Sequence, residues 1–224
     1  LITGGSGFLG GRIVKHLSSL GIFNLVVASR QNNSLSNVKT YHVDWNSEKI
    51  LNELCSNIDI IIHLAAMNAK DCLNNPKEAY NTNVFNTKKL LQSAVKNNVK
   101  KIIYFSTAHV YNSKLEGTID EEVEPRNSHP YAETHLLAEK SIIDYNEKKL
   151  IQGIVLRLSN SFGAPVDLTA NCWMLFANDL CKQAIVKNKM TINSDGQQLR
   201  DFITIEDVCR ATKYFIDYEV EKNI

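Results

Sequence analysis

Leu1 to Gly10 read LITGGSGFLG, and the rest of the chain makes sense outward from this stretch. Leu1 and Ile2 are the apolar end of a buried strand, Gly4, Gly5, Gly7 and Gly10 crowd the turn after it, and an apolar-periodic run starts at Ile13. The spacing fits GxGxxG from Gly5 and GxxGxxG from Gly4. Glycines let a backbone adopt unusual angles and come close to a pyrophosphate, whose charge then sits at a helix N-terminus. By itself the pattern is weak, because glycine turns also close ordinary strand–helix junctions.

Downstream, Ile13, Val14, Leu17 and Leu20 recur at helical spacing and Gly21 stands where that helix ends. Strands are expected at Leu25–Ala28, Val38–Val43, Ile58–Leu64, Lys101–Ser106 and Ile151–Leu158. Helices are expected around Ile50–Leu54, from Pro76 through Val95, and from Tyr131. IDIIIHL at Ile58 is apolar almost throughout, as a parallel strand covered on both faces should be. His63 within it reads as a core histidine. This alternation predicts an α/β, doubly wound parallel sheet, whose ligands bind beyond the carboxyl ends of the strands. Polar residues gather at those ends: Ser29, Asp44, Ser106 and Thr107.

Asn112–Pro130 reads as a polar surface loop. Ser159–Leu199 breaks the alternation, with Gly163, Pro165, a helix near Trp173–Val186 and a turn at Ser194-Asp195-Gly196. The expected organisation is a dinucleotide-binding unit from 1–158 and 200–224, with 159–199 as part of a small substrate lobe. Phe202–Ile205 and the helix from Glu206 are read as a return to the main fold.

Composition narrows the classes. A chain of 224 residues with 44% hydrophobic and 22% charged residues can bury a full core. A formal charge of +1 gives no general pull toward nucleic acid or anionic lipid, and no apolar run is long enough to span a bilayer. The five cysteines are scattered with no CxxC pair, which argues for reduced thiols, a cytoplasmic setting and no metal site. The chain starts without an initiator methionine and inside its first strand, so it is expected to be a piece of a longer protein.

Seven separated stretches are similar, in order, to the extended short-chain dehydrogenase/reductase family of nucleotide-sugar epimerases, dehydratases and reductases. They are TGGSGFLG at Thr3, HLAA at His63, NTNVFNTKKLL at Asn81, FSTAHVY at Phe105, PYAETHLLAEK at Pro130, LRLSNSFG at Leu156 and GQQLRDFITIEDV at Gly196. The resemblance implies a Rossmann fold with a C-terminal substrate lobe, truncated here because family members continue well past Ile224. It puts Gly4, Ser6, Gly7, Phe8, Leu9 and Gly10 around the pyrophosphate. Asp44 and Trp45 fall beside the adenine, and Ala65 and Ala66 beside the cofactor. Tyr131 takes the role of catalytic acid/base, Thr107 that of its hydroxyl partner, and Asn83 lies beneath the site. Asn160 and Arg200 match positions that contact the substrate's diphosphate.

These residue types suit hydride transfer. Moving hydride between a sugar carbon and nicotinamide requires the hydroxyl proton at that carbon to move too. A tyrosine can take it once a cation lowers its pKa from about 10. Here the sequence departs from the family's YxxxK pattern, because the fourth residue after Tyr131 is His135. Lys140 is five positions further on and faces elsewhere on the helix. Tyr131 and His135 share a face, yet histidine is shorter and mostly neutral at pH 7. Two outcomes stay open: an enzyme in which His135 positions the cofactor ribose, or a catalytically weakened cofactor-binding regulatory or sensor module.

After Thr107 the chain has Ala108-His109, whereas 4,6-dehydratases of this family carry Asp-Glu, so a dehydratase is not expected. His109 is a candidate second acid/base or substrate contact. An epimerase or a reductase remains. Ser29 and Arg30, in place of an acidic residue after the second strand, tilt the cofactor expectation to NADP over NAD. The expected partners are a nucleotide sugar and a second copy of the chain. The resemblance implies that two copies pair through a four-helix contact, made by the helices around Val84–Lys96 and Tyr131–Tyr145 of each.

Overall fold

The computed structural model describes residues 1–30, 38–112 and 114–218. Six parallel strands form one sheet in the order β3-β2-β1-β4-β5-β6: β1 (Ile2–Thr3), β2 (Val26–Ser29), β3 (Lys39–His42), β4 (Ile60–His63), β5 (Lys101–Thr107) and β6 (Gln152–Leu158). This is the doubly wound order in which the chain reverses direction beside β1, leaving a crevice at the strand ends.

Strand residues alternate between two cores. Ile61, Ile102 and Tyr104 face one side, buried with Leu51 and Leu54 of α2 (Glu48–Cys55), Leu90 and Leu91 of α5 (Asn86–Lys96) and Ile142 of α6 (Pro130–Glu147). Ile2, Val27, Ile62 and Ile103 face the other, against Ile13, Val14 and Leu17 of α1 (Phe8–Leu20) and Val208 of α8 (Ile205–Asp217). Burial of both faces explains why β4 and β5 read as nearly continuous apolar runs, whereas the edge strand β3, KTYH, is largely exposed. Gly21 ends α1 in the left-handed conformation, φ 68°, with its N–H on the Ser18 carbonyl. Lys101, buried at the start of β5, donates through Nζ to the carbonyls of Phe215, Ile216 and Tyr218 and so closes the C-terminus of α8.

One expectation is refined and another corrected. The helix expected from Pro76 through Val95 is present and unbroken to Lys96, but it is not α-helical throughout. A short α3 (Ala69–Asn74) precedes α4 (Pro76–Ala79), and a π-helical stretch, Tyr80–Phe85, then leads into α5. Phe202–Thr204 (β8) does not rejoin the main sheet. It pairs in parallel with Asn160–Phe162 (β7) in a separate two-stranded sheet, onto which Phe176 of α7 (Phe176–Lys187) stacks through Phe202. The helix that follows, α8, does pack on the main fold against α1, and residues 219–224 of that expected unit lie outside the described ones. Among the described residues no helix is long and apolar enough to cross a membrane, and no group of histidine, cysteine and carboxylate residues could hold a metal.

Candidate active site at the strand ends

The glycine turn is shaped by close packing. Gly4 adopts φ 69°, and a Cβ there would lie 2.8 Å from the Ala65 nitrogen, so the ends of β1 and β4 touch. A Cβ on Gly10 would lie 2.2 Å from the Gly4 carbonyl oxygen, which makes glycine obligatory. Gly7 is the N-cap of α1 and supplies no side-chain cap, and the first turn holds no acidic residue. Phe8, Leu9 and Gly10 thus begin a helix whose N-terminal N–H groups and dipole favour an anion. These residues fit the pyrophosphate of a dinucleotide.

Beside the turn, Ser29 at the end of β2 is buried and shares a 3.0 Å hydrogen bond with Ser6. Its hydroxyl is therefore engaged with the turn, while Arg30 next to it is exposed. Asp44 is exposed past the end of β3 and accepts the Asn46 N–H at 2.9 Å. Trp45 packs partly into the core, with its carbonyl accepting from Lys89 at 3.0 Å. At the end of β4, Ala65 is half-buried and Ala66 exposed.

His63 is a satisfied core histidine. Its Nδ1 lies 2.6 Å from the Thr3 hydroxyl and its Nε2 2.8 Å from the Thr87 hydroxyl. Burial, and then the nearby His135, lower its pKa to about 3. Asn83, on the π-helical stretch, accepts the Met67 N–H at 2.8 Å and donates to Thr134 at 3.0 Å, tying the segment after β4 to α6. A widened helical turn at a site-facing residue is a common use of π geometry.

Tyr131 lies in the first turn of α6, against the end of β5. His129 caps the helix by accepting the Tyr131 N–H at 3.1 Å. Asn127 holds the approach, donating to the His109 carbonyl at 2.7 Å and accepting the His129 N–H at 3.0 Å. Burial raises the Tyr131 pKa, and a hydrogen bond with the Thr107 hydroxyl pulls it back down. His135 packs edge-on to Tyr131 with ring centroids 4.5 Å apart. Its Nδ1 lies 2.8 Å from the Tyr104 hydroxyl, and burial lowers its pKa to about 4. The imidazole is thus neutral at pH 7. Lys140 is exposed. The arrangement holds a phenol that can exchange a proton, a hydroxyl that can share it, and no cation from this chain's YxxxK position.

His109 is half-buried, and its own N–H donates to Thr107 at 3.2 Å. Burial lowers its pKa, helped by the charges of Arg200 and His129, so these basic groups lie near one another. Arg200 is exposed over the Phe176 ring, and Asn160 donates to the Asp201 carbonyl at 2.9 Å.

The sequence reading missed a buried network beneath the site. Glu139 is fully buried on α6 and receives a fork of hydrogen bonds from Arg157 of β6 at 2.6–3.1 Å, plus one from Ser106. Arg157 also donates to the Tyr111 hydroxyl at 2.8 Å. Tyr131, His135 and Glu139 fall at i, i+4 and i+8, so helical spacing alone could have drawn attention to Glu139.

The sequence pattern described as the NAD dependent epimerase/dehydratase family matches residues 1–224. The chain belongs to that family. Among curated members, this epimerase/dehydratase-family chain is 33% identical over 170 residues to a UDP-glucose 4-epimerase of Halalkalibacterium halodurans, covering 73% of this chain and 51% of that one. It is 30% identical to the UDP-glucose 4-epimerase of Dictyostelium discoideum, covering 94% and 69%. Its relatives include the human dTDP-D-glucose 4,6-dehydratase, 28% identical over 94% of this chain and 63% of that one. The chain thus spans about half to two thirds of the length of these relatives. Among solved structures, MoeE5 in complex with UDP-glucuronic acid and NAD matches with a TM-score of 0.85 at 27% identity, covering 98% of this chain and 72% of that one.

Proposed function

We propose that this protein is a nucleotide-sugar epimerase or reductase that transfers hydride between a sugar carbon and a nicotinamide cofactor. The observation that carries the reading is Tyr131, half-buried and hydrogen-bonded to the Thr107 hydroxyl at the end of β5, in a sheet whose β1 ends in an uncapped glycine turn. A nicotinamide dinucleotide held at the glycine turn would supply the hydride acceptor and donor for that sugar carbon. Tyr131 exchanges the hydroxyl proton at that carbon, and Thr107 holds the same oxygen. Gly4, Gly7 and Gly10 bind the pyrophosphate, Asp44 the adenine, and Asn160 with Arg200 the substrate's diphosphate. His109 lines the sugar side.

The 4-epimerase is preferred because the curated relatives include two UDP-glucose 4-epimerases at 30% identity or more. Ala108-His109 after Thr107 speaks against 4,6-dehydration, which needs its own acid and base for loss of water. For the cofactor, Arg30 favours NADP. The engaged Ser29 hydroxyl and the NAD complex of MoeE5 favour NAD, and we take NAD. The homodimer reading is retained, since Phe85 and Ile143, beside and on the two helices concerned, are exposed apolar residues.

The second reading, a weakened cofactor-binding module, is favoured by one observation: burial keeps His135 neutral, so it supplies no cation to Tyr131. One experiment separates the two. Purified protein is incubated with NAD and UDP-glucose or UDP-glucuronic acid, and products are resolved by anion-exchange chromatography. The enzyme reading expects interconversion of the 4-epimers, lost at least a hundredfold in Tyr131→Phe. Dinucleotide binding without conversion, and without absorbance change at 340 nm, would establish the module instead.

A further inference from the structure

We propose that Tyr104 is a positioning residue that locks His135 in the neutral tautomer carrying its proton on Nε2, giving α6 a hydrogen-bond donor at the position of the YxxxK lysine. Tyr104 is fully buried in β5, and its hydroxyl lies 2.8 Å from Nδ1 of His135. A buried phenol has one proton to donate, and among the described residues Nδ1 is the acceptor within reach. If Nδ1 accepts, a neutral imidazole must carry its own proton on Nε2. The reverse arrangement, Nδ1–H donating to the phenol oxygen, strands the phenol proton and leaves the Nε2 lone pair without a donor. It orphans two groups instead of one.

The single orphan is what the structure contains. His135 Nε2 is one of two buried side-chain polar atoms without a partner among the described residues, the other being Asn178 Nδ2 in the lobe. A buried donor left without a partner, on a ring 4.5 Å from that of Tyr131, asks for an oxygen from outside the protein. His63 supplies the contrast within the same molecule. The Thr87 hydroxyl gives its proton to the Asn83 carbonyl at 2.7 Å and so accepts from His63 Nε2–H. The Thr3 hydroxyl gives its proton to Nδ1 and accepts the Ala65 N–H at 3.3 Å. Both histidines therefore hold the same tautomer, one satisfied and one open.

The proposal rests on the function proposed above only for the identity of the acceptor, which on that reading is a ribose hydroxyl of the dinucleotide. The tautomer itself is a property of the unliganded protein. Long-range ¹⁵N–¹H spectra of the histidine rings at pH 7 should give Nε2–H for both His63 and His135. In Tyr104→Phe, His135 should shift to mixed or Nδ1–H signals while His63 stays unchanged, and the Kd for NAD should rise about tenfold or more. His135→Gln, which can accept from Tyr104 and still donate, should keep NAD affinity within a few fold. His135→Leu should lose it about tenfold or more, which keeps the test alive if Tyr104→Phe does not fold. An imidazolium or Nδ1–H signal for His135 in the unmodified protein overturns the proposal. So does an unchanged tautomer in Tyr104→Phe, or full NAD affinity in His135→Leu. Failure of the unmodified protein to bind NAD would instead refute the proposed function, and the spectra would still decide the tautomer.

Discussion

Two buried neutral histidines, His63 at the end of β4 and His135 on α6, make stability depend on pH in a calculable way. The pKa of His63 is lowered to about 3 and that of His135 to about 4, against about 6.5 in the unfolded chain. Because the folded values are depressed, the unfolded chain binds more protons below pH 6.5, and stability falls with pH. The stabilisation is complete above 6.5 and shrinks until each folded pKa is passed. At pH 5 each histidine has cost about 1.5 units, or about 2 kcal/mol, giving about 4 kcal/mol for the pair. That is a large share of the roughly 5–15 kcal/mol of a typical domain. Urea denaturation followed by fluorescence of Trp45 and Trp173, without nucleotide, should show this loss between pH 7 and pH 5. His135→Gln cannot titrate, so its loss should be smaller by about 2 kcal/mol. Any contribution from His109, half-buried and also lowered, cancels in that difference. Equal losses in both proteins would show that His135 is not held neutral, and the assignment of a neutral donor to α6 would fall with it.

Other substitutions probe separate parts of the site. Gly10→Ala puts a Cβ 2.2 Å from the Gly4 oxygen, so it should cost about 1–3 kcal/mol in thermal denaturation and abolish dinucleotide binding in a fluorescence titration. Arg157→Leu strands the fully buried Glu139 carboxylate and should cost about 3–5 kcal/mol in urea, part of which Glu139→Gln in the same chain should restore. His135→Lys returns a cation to the face of Tyr131, so turnover at pH 7 should rise about tenfold and the alkaline limb of the pH–rate profile should move to lower pH. If that change abolishes activity, His135 is itself a specific acid/base. His109→Phe should spare NAD affinity and lower turnover, and unchanged turnover would remove His109 from the mechanism.

The sheet was legible because its signals are local. Strands covered on both faces read as apolar runs, and a glycine turn with a 2.2 Å contact tolerates no other residue, so both leave a mark in the chain itself. What escaped depends on contacts between distant residues. Tyr104 and His135 are 31 positions apart, and nothing in KIIYFS marks its tyrosine as a hydrogen-bond partner rather than a core aromatic. The pairing of β7 with β8 joins segments about forty residues apart. The π-helical stretch carries a composition, YNTNVF, that reads as ordinary helix. Its distinguishing feature is Asn83, held between Met67 and Thr134. The sequence shows Ser29 only as a hydroxyl at a strand end, and the structure turns that hydroxyl to Ser6.

On the proposed function, histidine in place of a lysine at position 135 is more than the loss of a charge. A lysine there needs only room and a ribose oxygen, since an ammonium donates in every direction. A neutral histidine donates from one nitrogen alone, so it works only if something fixes which one. The phenol of Tyr104 meets that need from β5, and His63 on β4 lies 5.6 Å from the Tyr104 ring with both of its own nitrogens already committed. With no second claimant on its proton among the described residues, the Tyr104 hydroxyl is left to His135. Hydrogen bonding can thus be conserved while the electrostatic help to Tyr131 is not. This predicts a protein that holds its dinucleotide well and turns over best at alkaline pH, where the raised tyrosine begins to lose its proton unaided.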